Sequence, residues 1–211
     1  MTAVVAQPVS IRRSGYDAAK RALDLVLCLL ALPFVVVVVA LCALAVRFDT
    51  PGAPIFSQRR TGRDGRSFRM WKLRTMVADA EELKPQLAHL SIVPPPDFKI
   101  PDDPRITRVG RFLRKTSLDE VPQIFNVLCG HMSLVGPRPT TFAPEAYDLW
   151  HTARLDVRPG ITGLWQVRAR HGSTFDERLR LDIAYVEHRC LRLDAHLLWA
   201  TIAAVAHRTG E

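Results

Sequence analysis

Residues 22–46 read ALDLVLCLLALPFVVVVVALCALAV, an apolar run interrupted by one charge, Asp24. A run this long qualifies as a transmembrane candidate. Cleavage as a signal peptide fits poorly, because a signal core is about 7–15 apolar residues. Two readings remain, a spanning helix and a segment that enters the membrane and turns back. Arg12, Arg13, Lys20 and Arg21 precede the run, and Arg47, Arg59, Arg60, Arg63, Arg66 and Arg69 follow it. Short flanks rich in Lys and Arg favour the cytoplasmic side, so both ends ask for the same face. Pro33 lies near the middle, where it deletes a backbone hydrogen bond and kinks or breaks a helix. Each half then measures about 16–20 Å against a hydrocarbon core of about 30 Å. The charges and the proline together favour a re-entrant hairpin with a structural role for Pro33.

Beyond the run the pattern changes to short elements. In IFSQRRTGRDGRSFRMWKLR, residues 55–74, Asp64-Gly65 is a hairpin-turn dipeptide, since both central positions of that turn need positive φ. Phe68 and Met70 share one strand face, Arg69 takes the other, and Lys72 and Arg74 fall at the strand's end. Residues 77–90 predict a short polar helix interrupted near Pro85. Residues 91–104 carry five prolines and predict a loop that either covers a site or simply connects. Ser117-Leu118-Asp119-Glu120 fits S-x-x-E ahead of Val121, Ile124, Phe125 and Leu128, a capping-box pattern. Pro122 conflicts with Ser117 as the cap and leaves Asp119 as an alternative. A second capping box, Thr174 to Glu177, opens a helix through Leu179, Ile183 and Val186. Asp194 starts a last apolar helix containing Trp199, destined for the membrane interface or for the soluble core.

Charge adds the next constraint. Lys and Arg number 29 against 21 Asp and Glu, a net charge of +8. Such a chain attracts anions, and arginine-rich clusters suit phosphate. The four cysteines show no C-x-x-C pair, and P-loop, H-E-x-x-H and G-x-G-x-x-G patterns are absent. A disulfide framework and three common enzyme classes lose support. Two alternatives for the acid pair stay open. Asp119 and Glu120 are helix-start residues, or they do chemistry. A carboxylate that attacks phosphorus needs arginines and a divalent metal to mask the phosphate charge. Arg105, Arg108, Arg111 and Arg114 lie just upstream. Arg138 stands between Pro137 and Pro139, and Arg158 precedes Pro159-Gly160, so both occupy rigid turns. A preorganised side chain loses less entropy on binding.

KRALDLVLCLLALPF, PIFSQRRTGRDGRSFRMWKLRTM, DPRITRVGRFLRKTSLDEVPQIFNVL, MSLVGPRP and VRPGITGLWQV occur in order between Lys20 and Val167, and the likeness they carry runs from about Lys20 to Arg208. Together they resemble the bacterial sugar transferases, the monotopic polyprenyl-phosphate phosphoglycosyl transferase family, in its minimal form. The resemblance implies an α/β, mostly helical monotopic protein. Residues 1–19 form a basic segment, residues 20–48 a re-entrant helix-break-helix, and residues 49–211 a cytoplasmic catalytic domain with interfacial helices and a small β-hairpin. It implies a bacterial inner-membrane protein that moves a sugar 1-phosphate from a UDP-sugar to polyprenyl phosphate and releases UMP. By that likeness Asp119 is the nucleophile, Glu120 handles protons, and both hold Mg²⁺. Lys72, Arg74, Arg114, Arg138 and Arg158 bind phosphate, and no nucleic-acid partner is expected. Departures are Leu32 where the family often has serine, His131 where an acid is common, and Arg168-Ala169-Arg170-His171 after WQV. These leave the sugar open. The competing readings are a non-enzymatic adaptor for anionic lipid or nucleic acid, and a glycosyltransferase that releases UDP.

Overall fold

A computed structural model describes residues 14–93, 98–141, 149–169 and 174–206. Arg12, Arg13, the triple proline at 94–96, Arg170, His171 and Arg208 lie outside them. The described chain is mostly helical. Helix α1 (Ser14–Asp49) leads into an antiparallel hairpin, β1 (Ile55–Thr61) and β2 (Ser67–Leu73). Then come α2 (Ala80–Leu83), α3 (Arg108–Lys115), α4 (Gln123–Leu128) and β3 (Ser133–Val135). After β3 follow β4 (Gly160–Thr162), α5 (Leu164–Arg168), α6 (Phe175–His188) and α7 (Leu191–Ala206). Strand β4 pairs in parallel with β3, Ser133 opposite Gly160.

Pro33 lies inside α1, and no loop separates the two halves. The expected helix-break-helix is therefore one helical element. A proline costs a helix one donor and a clash with the preceding turn, while the remaining hydrogen bonds continue on both sides. Helix α1 is the one described helix long and apolar enough to cross a membrane. One face of α1 packs on the rest of the protein along much of its length. Cys28 joins Phe68, Met70, Val127 and Met132, whereas Val46 joins Leu73 and Leu113 with Val39 alongside. Polar bonds fasten both ends. Arg21 donates to the carbonyls of Val127 and Leu128 at 2.6 and 3.0 Å, and Asp49 accepts from the Val109 amide at 3.1 Å. The other face leaves Leu29, Leu30, Phe34, Val37, Leu41 and Phe48 exposed.

The hairpin follows its turn residues. Asp64 and Gly65 take φ of 56° and 72°, and Phe68 and Met70 are buried while Arg69 is exposed. The predicted capping box at Thr174 and Glu177 is present. The one predicted at Ser117 is not. Ser117 adopts φ 56° and caps nothing, Leu118–Glu120 is a single 3₁₀ turn, and α4 starts only after Pro122. Pro122 stands at the cap of α4 with φ −60°, where a missing N–H costs no intrahelical bond, whereas farther into a helix starting at Ser117 it would remove one. Helix α7 begins three residues before Asp194, which is buried and accepts from Tyr16 and Tyr185 at 2.8 and 2.7 Å. Trp199 and Ile202 on that helix are exposed.

Candidate active site

Two backbone features place the acid pair. Gly110 lets α3 press against the strand end, since a Cβ there would lie 2.1 Å from the Thr75 carbonyl oxygen. Left-handed Ser117 then ends α3 and turns the chain so that Asp119 and Glu120 meet the end of β2. Asn126 of α4 fixes the other side. Its amide nitrogen donates to the Arg69 carbonyl at 2.7 Å, and its carbonyl oxygen accepts the Trp71 amide at 3.0 Å. A fully buried Asn thus stitches α4 to the strand that carries Lys72. An isolated Asn in an apolar helix is the signal that could have marked it in the sequence, because a buried amide must find partners.

The two acids have opposite environments. Glu120 Oε1 accepts from Lys72 Nζ at 2.7 Å and from Arg138 Nη2 at 2.5 Å, and Glu120 Oε2 accepts from Arg138 Nη1 at 3.2 Å. This is a forked guanidinium–carboxylate pair with a lysine added. Burial alone would raise the Glu120 pKa, but Arg138 and Lys72 outweigh it and hold the carboxyl well below the usual range. Its expected role of bonding back to Ser117 is replaced by this grip. Asp119 is only 9% exposed, and no hydrogen bond or ion pair to it occurs among the described residues. Burial pushes its pKa up, against the pull of Lys72, Arg114 and Arg138. One neighbouring pair therefore holds a firmly ionised acid clamped by cations and a more basic, unengaged one. Carboxyls driven apart in this way are suited to different tasks.

The sequence-predicted cations divide. Lys72 and Arg138 meet at Glu120, and the Arg114 guanidinium is held nearby by Nε donating to Thr75 Oγ1 at 3.0 Å. Arg74, expected at phosphate, is buried and donates instead to the carbonyls of Pro51 and Thr50 at 2.5 and 2.8 Å. It clasps the chain leaving α1. Arg158 also lies elsewhere. Its Nε donates to Gly130 at 2.9 Å, and burial together with Arg21 and Arg63 lowers its pKa. Arg105 is paired with Asp103 at 2.6 Å. Two residues without an obvious sequence signal lie behind Arg138. Buried Arg154 donates to the Arg138 carbonyl and, at 2.6 Å, to buried Asp182.

For a metal, the described residues contain no group of three or more His, Cys, Asp or Glu side chains. Two adjacent carboxylates, one unengaged, are too few for a closed cage. They fit Mg²⁺, which commonly takes one or two carboxylates and completes its shell with substrate phosphates and water.

The sequence pattern of the family described as "Bacterial sugar transferase" matches residues 15–208. The galactosyl transferase CpsE of Streptococcus agalactiae is 41% identical over 98% of this chain, which spans 46% of that protein. The UDP-glucose:undecaprenyl-phosphate glucose-1-phosphate transferase of Caulobacter vibrioides is 38% identical over 92% of this chain and 72% of its own length. The exopolysaccharide production protein ExoY of Rhizobium meliloti is 36% identical over 92% of this chain and 88% of its own length. With the matching pattern covering nearly all of its length, the chain belongs to the bacterial sugar transferase family.

Proposed function

We propose that this protein transfers a sugar 1-phosphate from a UDP-sugar to a polyprenyl phosphate such as undecaprenyl phosphate, releasing UMP. The observation that carries this is the contrast within the acid pair, an unengaged buried Asp119 beside a Glu120 already held by Lys72 and Arg138. An Asp119 oxygen attacks the β-phosphorus of the donor. The bond from that phosphorus to the bridging oxygen breaks, and UMP leaves with the electron pair. A phosphate oxygen of the polyprenyl phosphate then attacks the same phosphorus and displaces Asp119, which returns as the carboxylate. Lys72, Arg138 and Arg114 offset the repulsion between carboxylate and diphosphate, in keeping with the electrostatic character of phosphoryl transfer. Asp119 and Glu120 would hold Mg²⁺, which would supply further charge neutralisation. The names of the Caulobacter and Rhizobium relatives support this donor, this acceptor and a place in exopolysaccharide synthesis.

The reaction class is tested by incubating the protein with undecaprenyl phosphate, Mg²⁺ and a panel of UDP-sugars. UMP should appear with at least one donor, and chelation of divalent metal should abolish it. UDP as the nucleotide product would contradict the reading and favour transfer of the bare sugar. Salt-sensitive RNA binding with no turnover would favour the adaptor.

We also propose that α1 is re-entrant, with the body of the protein on the cytoplasmic face of the inner membrane. Both ends of α1 bond to that body, and Cys28 and Val39 both pack on it. The stretch between those contacts is much shorter than the ~20 residues that cross a bilayer. Pro33 and the exposed Phe34 lie in that stretch, which suits an apex dipping into one leaflet. Exposed Phe112, Trp199 and Ile202 suit helices resting at the interface. Cysteines placed at the exposed Ser14 and Ala53 should both react with an impermeant thiol reagent only from the cytoplasmic side. Opposite-side reaction would establish a spanning helix.

A further inference from the structure

The arginine that grips Glu120 is itself held from behind. Pro137 and Pro139 narrow the backbone torsions around Arg138, but Pro139 has no N–H, so the Arg138–Pro139 peptide can be tied only through the Arg138 carbonyl. Gly136 and Pro137 are tied to β4 by Gly136 N–H donating to Thr162 and Gly160 N–H donating to Pro137, each at 2.9 Å. The second of these bonds fixes the peptide that carries the Arg138 N–H, and only the peptide on the far side of Arg138 is left to be held. From there Arg154 and Asp182 take over. The Arg154 Nη2 donates to the Arg138 carbonyl and, at 2.6 Å, to Asp182 Oδ2. The other Asp182 oxygen, Oδ1, has no hydrogen-bond partner among the described residues, so Asp182 reaches Arg138 through Arg154. Arg154 and Asp182 are 4% and 1% exposed, so the pair is shut away from the acceptors that a substrate would bring.

We infer that Arg154 and Asp182 are positioning residues: Arg154, held by Asp182, ties down the Arg138 carbonyl and so aims the Arg138 guanidinium at Glu120 and the donor phosphate. The inference rests on the phosphoglycosyl transferase reading of the site. Its physical basis is leverage. A long side chain rooted in a peptide free to rotate loses its forked geometry, and misplacement by about 1 Å in such a site costs roughly 100-fold in rate. Asp182 supports this from its electrostatics. Burial raises its pKa to about 7 in spite of Arg154, so an ion pair here is expensive to keep for stability alone.

A double-mutant cycle tests the inference, because residues that act through Arg138 cannot matter once its guanidinium is gone. The full chain, in detergent micelles containing undecaprenyl phosphate, is assayed for UMP release with whichever of UDP-glucose or UDP-galactose the wild type turns over. Rates are normalised to protein that elutes as a single folded species. Arg154→Ala is expected to lower kcat/KM about 10- to 100-fold, with Arg154→Lys, which still donates to both acceptors, recovering part of it. In an Arg138→Ala background, Arg154→Ala should cost no more than about 2-fold further. Asp182→Asn provides the same cycle if Arg154→Ala does not fold. Additive losses, wild-type turnover in Arg154→Ala, or loss of folding in both variants would overturn the positioning role. A wild-type protein that releases no UMP would instead overturn the reading beneath it, so the two failures are distinguishable.

Discussion

Replacing Asp119 with asparagine is expected to lower UMP release by at least about 1,000-fold while donor binding persists. Asparagine keeps the shape of the side chain but cannot form an acyl phosphate. The side chain makes no hydrogen bond or ion pair among the described residues, so its removal breaks no structural contact there. Burial pushes the wild-type pKa up, so the charge also carries a desolvation cost that the neutral amide avoids. The variant should therefore melt no lower than wild type. Equilibrium binding of labelled UDP-sugar and the rate of UMP formation, measured on the same preparation, check the two halves of the prediction. Retained turnover would remove Asp119 from the chemistry.

Glu120→Gln is expected to impair both activity and stability. The carboxylate faces Lys72 and Arg138 at once, and an amide can accept from one while its own N–H groups confront the other. Loss of the metal and proton handling proposed for it should lower turnover roughly 100-fold. The groups keep partial access to water, 18% for Glu120 and 32% for Arg138, so the stability loss belongs at the low end for buried pairs, about 2 kcal/mol. The pH dependence follows from the sign of the shift. The folded pKa of Glu120 is depressed, so its stabilisation is present above the unfolded value near ~4.3 and is lost as pH falls below it. Wild type and variant should differ at neutral pH and converge in acid. Melting curves across that range would expose an error in the assignment if the gap stayed constant.

The parts of this protein that were legible in its sequence were governed by local rules. Asp64-Gly65 needs positive φ wherever it occurs, and Thr174 to Glu177 closes a capping box with no help from the rest of the chain. The same local rule misled at Ser117 to Glu120. There Lys72 and Arg138 offer Glu120 charged partners, stronger than the backbone amide that a capping box provides. Pro33 lies inside α1 with no loop at that point, because one missing donor does not end a helix whose hydrogen bonds continue on both sides. Among the cations, chemistry alone could not separate the groups at the acid pair from those holding the fold. Arg74 and Arg158 looked as suited to phosphate as Arg138, yet their guanidinium groups bond to backbone carbonyls. Nothing in local sequence indicated that Arg154 or Asp182, from distant segments, would meet behind Arg138. Tertiary proximity of that kind leaves no periodicity to read.

The claim on which the account turns is that phosphorus becomes bonded to Asp119 during turnover. Rapid acid quenching of wild-type protein with its UDP-sugar and Mg²⁺ but no polyprenyl phosphate, followed by digestion and mass spectrometry, measures this directly. The peptide carrying Asp119 should gain the mass of one sugar phosphate, and that mass should disappear when polyprenyl phosphate is added before the quench. An unmodified Asp119 peptide in a sample that has already released a burst of UMP would contradict the account.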